Sequence, residues 1–488
     1  MFLGIDLGTS EVKVLLLDDQ HRIVGIASER LTVQRLHPLW SEQNPVDWWA
    51  AMDLALCRLA AQHASAMAAV QAIGLSGQMH GAVLLDAVGE VLRPAILWND
   101  GRSGSACVAL EAALPALHGI TGNLAMPGFT APKLWWVREN EPAVFDRMRS
   151  VLLPKDWLRL GLTGEMVSDM SDASGTLWLD VGQRRWSGEA LAACGMSVEN
   201  VPRLVEGCEI SGALLPALAT RWGLPPGIPV AGGGGDNASS AVGIGAVRPG
   251  QGFVSLGTSG VIFLANDRFH PNPGSAVHAF CHALPNAWHQ MSVMLSAASA
   301  LRWVRELLGL SSEEILLQQV ATLTADQRAT APIFLPYLSG ERTPHNNPRA
   351  QGVLFGLTAG HDAASLGYAV IEGVAFGLLD GWNSMGTSPG EVTQLSLVGG
   401  GARSPLWATL IASALGVPLV THPGGEAGGA LGAARLAWLA AGGDLQTVCV
   451  SPPVRDRFDP DEHLADMLAT RYGRFRRLYP ALRAQFES

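Results

Sequence analysis

At 488 residues, 48% hydrophobic and only 16% charged, the chain is too long for one core, and its composition excludes a disordered or fibrous protein in favour of well-buried α/β domains. A formal charge of −10 disfavours nucleic acid, which is gripped by neutralising its phosphates. No uninterrupted apolar run approaches the roughly 18 residues needed to span a membrane, the N-terminus enters a strand with no leader, and the six cysteines lack CxxC spacing, so free thiols and a cytoplasmic location are expected.

Residues 2–36 read as three strands with turns at Gly8-Thr9-Ser10 and Asp18-Asp19-Gln20. A Gly-Thr-Ser hairpin tip offers N–H and hydroxyl donors to an anion with little bulk in the way. Asp6 precedes that turn; beside phosphates it makes sense only with a metal ion between, and otherwise it is a turn-capping residue. Lys13, on the return strand, either reaches phosphate oxygens or faces solvent. A helix follows from Val46 to about His63, with Trp48, Trp49, Met52, Leu56 and Leu59 at helical spacing. The buried strand Ala69–Leu75 runs into Ser76-Gly77-Gln78-Met79-His80-Gly81, a polar strand end of the kind where α/β ligand sites form. Gln78, Met79 and His80 are therefore candidate ligand contacts, with a structural His80 as the alternative. Val83–Leu92 reads as a hairpin. Ala95–Trp98 reads as a buried strand ending in Asn99, Asp100 and Arg102, which suit a polyhydroxylated ligand or else form a loop-shaping ion pair. Residues 103–150 read as helical, and Leu152–Asp156 and Asp169–Gly175 as polar loops beside apolar runs.

Pro229–Ala231 is a short strand before Gly232-Gly233-Gly234-Gly235-Asp236-Asn237, a glycine run expected where a backbone or ligand approaches closely. Asp236 has no cation beside it in sequence; capping the next helix is its structural alternative. Leu7-Gly8-Thr9-Ser10 then recurs as Leu256-Gly257-Thr258-Ser259 between two β-rich runs, so residues 1–246 and 247–488 are expected to be two similar lobes, each presenting a phosphate-gripping turn. Helices are expected over Ala297–Leu308, Ser312–Leu323 and Ala363–Met385, the last with Leu366, Val370, Val374 and Leu378 on one face. Leu395–Val398 ends in Gly399-Gly400-Gly401-Ala402-Arg403-Ser404 before a helix at Pro405. Strand, glycine turn and helix N-terminus suit a nucleotide, although no GxxxxGK[ST] occurs. Gly424–Gly429 precedes a small-residue helix, and the charged, aromatic tail reads as a surface helix.

Taken in order, IDLGTS, SGQMHG, LWNDGR, GGGGDN, SLGTSG, SGERTPHNNP and GGGARS resemble the FGGY carbohydrate kinases from Phe2 to about Leu439. The resemblance implies an α/β fold of two ribonuclease-H-like lobes, of the actin, hexokinase and chaperone ATPase type, around a central cleft. It implies transfer of the ATP γ-phosphate, with Mg2+, to the 5-hydroxyl of D-xylulose. By this similarity Asp236 matches the catalytic base, Met79 and His80 the sugar-binding pair, and Asn237 a further sugar contact. Asp6 matches the Mg2+ site, directly or through water. Thr9, Ser10 and Lys13 match the first phosphate hairpin, Gly257 and Thr258 the second, and Gly400, Gly401 and Ser404 the adenosine end. A homodimer is implied by similarity alone, with neither nucleic acid nor membrane as partner.

Phosphoryl transfer passes through a loose transition state, so aligning reactants, which can gain roughly 7–11 kcal/mol, should outweigh help from a weak base. An aspartate with the usual pKa of about 3.9 is ionised at neutral pH, so Asp236 is expected to orient the sugar hydroxyl and take its proton. The alternatives are an FGGY kinase for ribulose, gluconate or glycerol, a non-catalytic actin- or chaperone-like ATPase, and a phosphatase on the same core.

Overall fold

The computed structural model describes residues 1–387, 390–423 and 428–487; Gly424-Gly425-Glu426-Ala427, from the glycine-rich run noted above, lies outside them. Two seven-stranded sheets dominate the fold. In the first, β1 (Phe2–Leu7), β2 (Glu11–Leu17) and β3 (Ile23–Arg30) form an antiparallel meander. β4 (Ala72–Gly77) lies parallel to β1, and beyond it come β5 (Ile210–Ala213) and β6 (Pro229–Ala231) in the spatial order β5-β6-β4-β1-β2-β3, with the two-residue strand Gly234–Gly235 pairing β4 as the seventh. The second sheet uses β7 (Gly252–Leu256), β8 (Gly260–Asn266), β9 (His278–Cys281), β10 (Trp288–Met294), β11 (Leu395–Val398), β12 (Leu419–Thr421) and β13 (Asp456–Phe458), ordered β9-β10-β8-β7-β11-β12-β13. The repeat is thus topological: β6-β4-β1-β2-β3 and β12-β11-β7-β8-β10 are each an antiparallel meander extended from its first strand by two parallel strands.

Parallel neighbours need crossover connections, and helices supply them. α1 (Pro45–Gln62) joins β3 to β4, capped by the Asn44 side chain and burying Trp48, Met52, Leu56 and Leu59. Short α2 (Met170–Ser174), α3 (Asp236–Ile244) and α4 (Ala298–Leu307) flank the site. α5 (Ala363–Ser384) is long and apolar enough to cross a membrane, yet 83% of its most apolar window is buried inside the protein. Burial extends around the helix, not along one face as its spacing predicts, because α4, α6 (Pro405–Leu415) and the second sheet enclose it.

α7 (Gly428–Ala440), late in the chain, packs on β1 and β4 of the first sheet and on α3. Small residues permit this. A Cβ added at Gly4 or Gly74 would collide with the Ala430 or Ala433 carbonyl, and one at Gly432 with that of Ser239. α8 (Glu462–Phe486), expected on the surface, instead buries Leu468, Phe475, Tyr479 and Phe486. Its buried Arg471 forks onto Glu372 of α5 at 2.6 and 2.7 Å. The expected Val83–Leu92 hairpin is present but short, with Leu85 bridging Val91, Asp86 N–H donating to Glu90 O at 3.0 Å and Leu92 N–H to Leu84 O at 2.9 Å, while Val83–Leu85 also pairs with Ser150–Leu152. The Ala95–Trp98 strand shortens to Ala95–Ile96, and Trp98 is exposed.

Candidate active site

Three chain segments end side by side at the edge of the first sheet. Leu7 of β1 registers against Gly77 of β4, and Gly235 registers against the same Gly77. The hairpin tip, the Gln78–His80 loop and Asp236 therefore leave the sheet together, where the carboxyl ends of parallel strands make a crevice. The tip is tight: Gly8 N–H donates to Glu11 O at 3.0 Å, and its counterpart in the second sheet, Gly257 N–H, donates to Ser259 O at 3.1 Å. Ser10 and Thr258 sit exposed on the two tips. Lys13 pairs with Glu11 at 3.2 Å.

Asp6, the penultimate residue of β1, has Oδ1 buried with no hydrogen-bond partner, and Gly429 of α7 packs against its carboxylate. Burial pushes its carboxyl above the usual range, against the opposing pull of Ser76 and Lys13. Asp236 opens α3; Gly235 takes the N-cap position, so capping is not its role. Its Oδ1 accepts the backbone and side-chain N–H groups of Asn237 at 2.7 and 3.0 Å. Burial, then the negative charge of Asp6, push the Asp236 carboxyl up to about 6, which corrects the expectation of an ordinary carboxylate near 3.9. Two buried carboxylates, one raised by the charge of the other, and one unpartnered oxygen fit a divalent cation, which would satisfy both. Among the described residues no three His, Cys, Asp or Glu side chains form a ready cage, so such a cation would take other ligands from phosphate or water.

Met79 is buried with its thioether against Gly235, where any Cβ would meet it. His80 adopts φ +70, and its Nδ1–H donates to Gly175 O at 2.7 Å. Burial pushes the imidazole down to about 3, so it is neutral and its Nε2 is left as an acceptor. The loop is held from below: the buried Lys133 Nζ donates to His80 O and Gly128 O, both at 2.7 Å.

Other candidates are engaged internally. Gln78 accepts the Thr9 hydroxyl at 3.0 Å and donates to Gln43 Oε1 at 3.1 Å, while Gln43 donates to Thr9 O at 2.8 Å. It joins the hairpin tip to β4, with one amide hydrogen engaged by Gln43. Asp100 accepts the Ser41 N–H at 2.6 Å and the Arg102 Nη2 at 2.7 Å. Arg102 also reaches Glu42 at 2.7 Å, with its guanidinium 3.6 Å from the centre of the Trp40 ring. Buried charges persist where they are paired, and here pairing consumes both groups, so Asp100 and Arg102 shape the loop and are not ligand contacts. Asn99 keeps a buried, unpartnered Oδ1.

Sequence reasoning missed the scaffold beneath the base. Lys155 is fully buried among Asp156, Asp169 and Asp172 at 2.5, 2.7 and 3.1 Å. Asp169 caps α2 and accepts the Ser171 hydroxyl at 2.5 Å; Ser171 in turn accepts the Gly235 N–H at 3.1 Å. Arg159 holds the Ala231 carbonyl at 2.7 Å and that of Gly232. The signal was present as charged residues between apolar ones in LPKDWLRL and SDMSDASG, but partners 64 and 72 residues apart, such as Ser171 with Gly235 and Arg159 with Ala231, are invisible until the chain folds.

At the second sheet, Thr258 O accepts the Ala297 N–H at 2.9 Å, and Gly257 O accepts that of Ala298 at 2.8 Å, so the tip rests on the start of α4. Gly399, at φ +91, lets the turn after β11 lie on Leu256, and Gly401 packs on the Leu256 side chain. Gly400, Gly401 and Ser404 line a cavity of about 790 Å³ together with α4 and Trp407. Ser404 caps α6, accepting the Trp407 N–H at 3.3 Å. This cavity has the size of a nucleoside pocket.

The N-terminal domain of the FGGY family of carbohydrate kinases matches residues 1–243, and its C-terminal domain matches residues 252–441. The chain belongs to the FGGY family of carbohydrate kinases, and its fold is the two-lobed, actin- and hexokinase-like one. It is 53% identical over 487 residues to a xylulose kinase of Escherichia coli (strain K12), covering 99% of each chain. It is 50% identical to a xylulose kinase of Klebsiella pneumoniae, again over 99% of each. The crystal structure of a xyloylose kinase from Brucella ovis is 51% identical and superposes with a TM-score of 0.96 over 99% of both chains.

Proposed function

We propose that the protein phosphorylates D-xylulose at its 5-hydroxyl, using ATP and yielding D-xylulose 5-phosphate and ADP. One observation carries the chemistry: Asp236, raised to about 6, stands beside the orphaned Asp6 carboxylate and the Met79–His80 loop at a single sheet edge. Full-length identity to the named xylulose kinases supports the choice of sugar.

In this reading His80 Nε2 and Asn237 hold sugar hydroxyls, and Met79 forms an apolar wall. Asp236 takes the proton of the attacking hydroxyl as its oxygen bonds to phosphorus and the bond to ADP breaks. With a pKa near 6 the carboxylate is still mostly ionised at neutral pH, yet more basic than an exposed one. Thr9 fixes the first tip; Ser10, Lys13, Gly257 and Thr258 offer donors to phosphates, and Gly400, Gly401 and Ser404 border the adenosine. Asp6 Oδ1 would hold Mg2+, directly or through water, to neutralise phosphate charge. We assign residues 1–246 and 247–488 to the two lobes, the free cysteines to a reducing cytoplasm, and a homodimer as the working assembly.

A coupled ADP-release assay against D-xylulose, ribulose, gluconate and glycerol tests the reading. D-xylulose is expected to give the highest kcat/KM, by about tenfold or more. Preference for another polyol would replace the substrate while keeping the reaction.

A further inference from the structure

The loop after the strand Ile333–Leu335 carries Ser339-Gly340-Glu341-Arg342-Thr343-Pro344-His345. Thr343 pins it to the second sheet. Its N–H donates to Val293 O and its hydroxyl accepts the Val293 N–H, both at 3.0 Å, and the hydroxyl donates to Ala276 O at 3.0 Å. Ala276 lies two residues before His278, whose ring meets Phe129 edge-on at 5.5 Å; Phe129 meets His80 at 4.7 Å. The pinned loop therefore borders the wall of the candidate sugar site.

Arg342 on this loop is half-buried, and its guanidinium makes no hydrogen bond or ion pair with any described residue. Adjacent Glu341 does not serve it. Oε1 is occupied by the N–H groups of Arg342 and Leu295 at 2.7 and 3.0 Å, and burial pushes the carboxyl up to about 8, so it is largely neutral. The nearby imidazoles of His80 and His278 are held neutral first by burial, and the Arg342 cation acts on both in the same direction. A half-buried guanidinium that no protein acceptor engages keeps its planar fork of N–H groups for a ligand. The loop puts that unsatisfied fork where an oxygen-rich ligand would lie.

We propose that Arg342 is a substrate-binding residue, donating from the second half of the chain to hydroxyl or carbonyl oxygens of the acceptor sugar beside His80. The proposal rests on the reading that a sugar occupies this site, and its test separates the two. Wild type is first assayed with the four acceptors, and Arg342→Met and Arg342→Lys are then compared with it on whichever one it phosphorylates. Arg342→Met is expected to raise the KM for that acceptor about 10- to 100-fold, the range for losing hydrogen bonds to a charged group. Its KM for ATP should move less than about twofold, and Arg342→Lys, retaining charge without the fork, should recover part of the loss. An unchanged acceptor KM in Arg342→Met, or equal rises in both KM values with a lowered melting temperature in both variants, would overturn the assignment. Preference for another acceptor overturns D-xylulose alone; no turnover with any acceptor overturns both readings.

Discussion

At the scale of single residues, the raised Asp236 carboxyl makes two testable statements. Catalysis needs the base unprotonated, so kcat/KM should fall about tenfold per pH unit below about 6 and level off above it. Asp6→Asn removes one of the two causes of the shift, so the residual activity of that variant should show its acid limb at lower pH. Stability runs the other way. The folded protein holds the Asp236 proton more tightly than the unfolded chain, so the ionised side chain is a burden that is absent below about 4 and full above about 6. Asp236→Asn should therefore abolish sugar-dependent turnover while stabilising the metal-free protein at pH 8 by on the order of 1–2 kcal/mol, allowing for partial solvent screening. Melting curves in chelator at pH 8 and pH 4 check this: a gain at the first and none at the second. For His80→Ala, the sugar KM should rise far more than the ATP KM; equal rises would make the imidazole a structural support.

Among elements, the contact of α7 with β1 and β4 is the most demanding. Gly74→Ala places a methyl group inside the Ala433 carbonyl, and neither backbone can yield without moving a strand or a helix. Overpacking of this kind costs about 1–3 kcal/mol or more, so the variant should melt well below wild type or fail to accumulate in soluble form. Arg471→Met in α8 should cost more, about 3–5 kcal/mol, because it strands the buried Glu372 carboxylate. These two elements also show what the sequence could reveal. Amphipathic α1 and the first meander announce themselves through spacing and a turn signal; the observed bounds of α1 lie within a residue of those expected, while the third strand of the meander ends at Arg30, short of the expected residue 36. α8 reads as a surface helix because its charged residues outnumber its buried ones, and only the fold reveals that Arg471 has a partner 99 residues away. Likewise Asp100 and Arg102 look like a ligand-binding pair until Glu42 and Trp40, from a distant loop, enclose them.

For the whole molecule, the repeated Leu-Gly-Thr-Ser stretches foretold a repeated sheet topology, and the order of strands bears this out. The duplication does not extend to the base: Asp236 sits at the first sheet, and the cavity of about 790 Å³ at the second. Such a division of labour predicts that the nucleoside part of ATP is held at the second sheet and the sugar at the edge of the first, with Arg342 alone reaching the sugar from the second half. Hydrogen exchange with ATP alone should slow amides around Gly400–Ser404 and Thr258, and with sugar alone those around Gln78–His80; protection of both regions by either ligand alone would refute this division.

The seating of α7 on the first sheet also bears on how the protein is born. Roughly nine-tenths of the chain must emerge from the ribosome before Gly428–Ala440 can cover β1 and β4. Until then the opening strands wait with one face uncovered, sticky and available to chaperones. A severed fragment of residues 1–246 should accordingly clump or bind hydrophobic dye when made alone, and co-expressing residues 247–488 should rescue it.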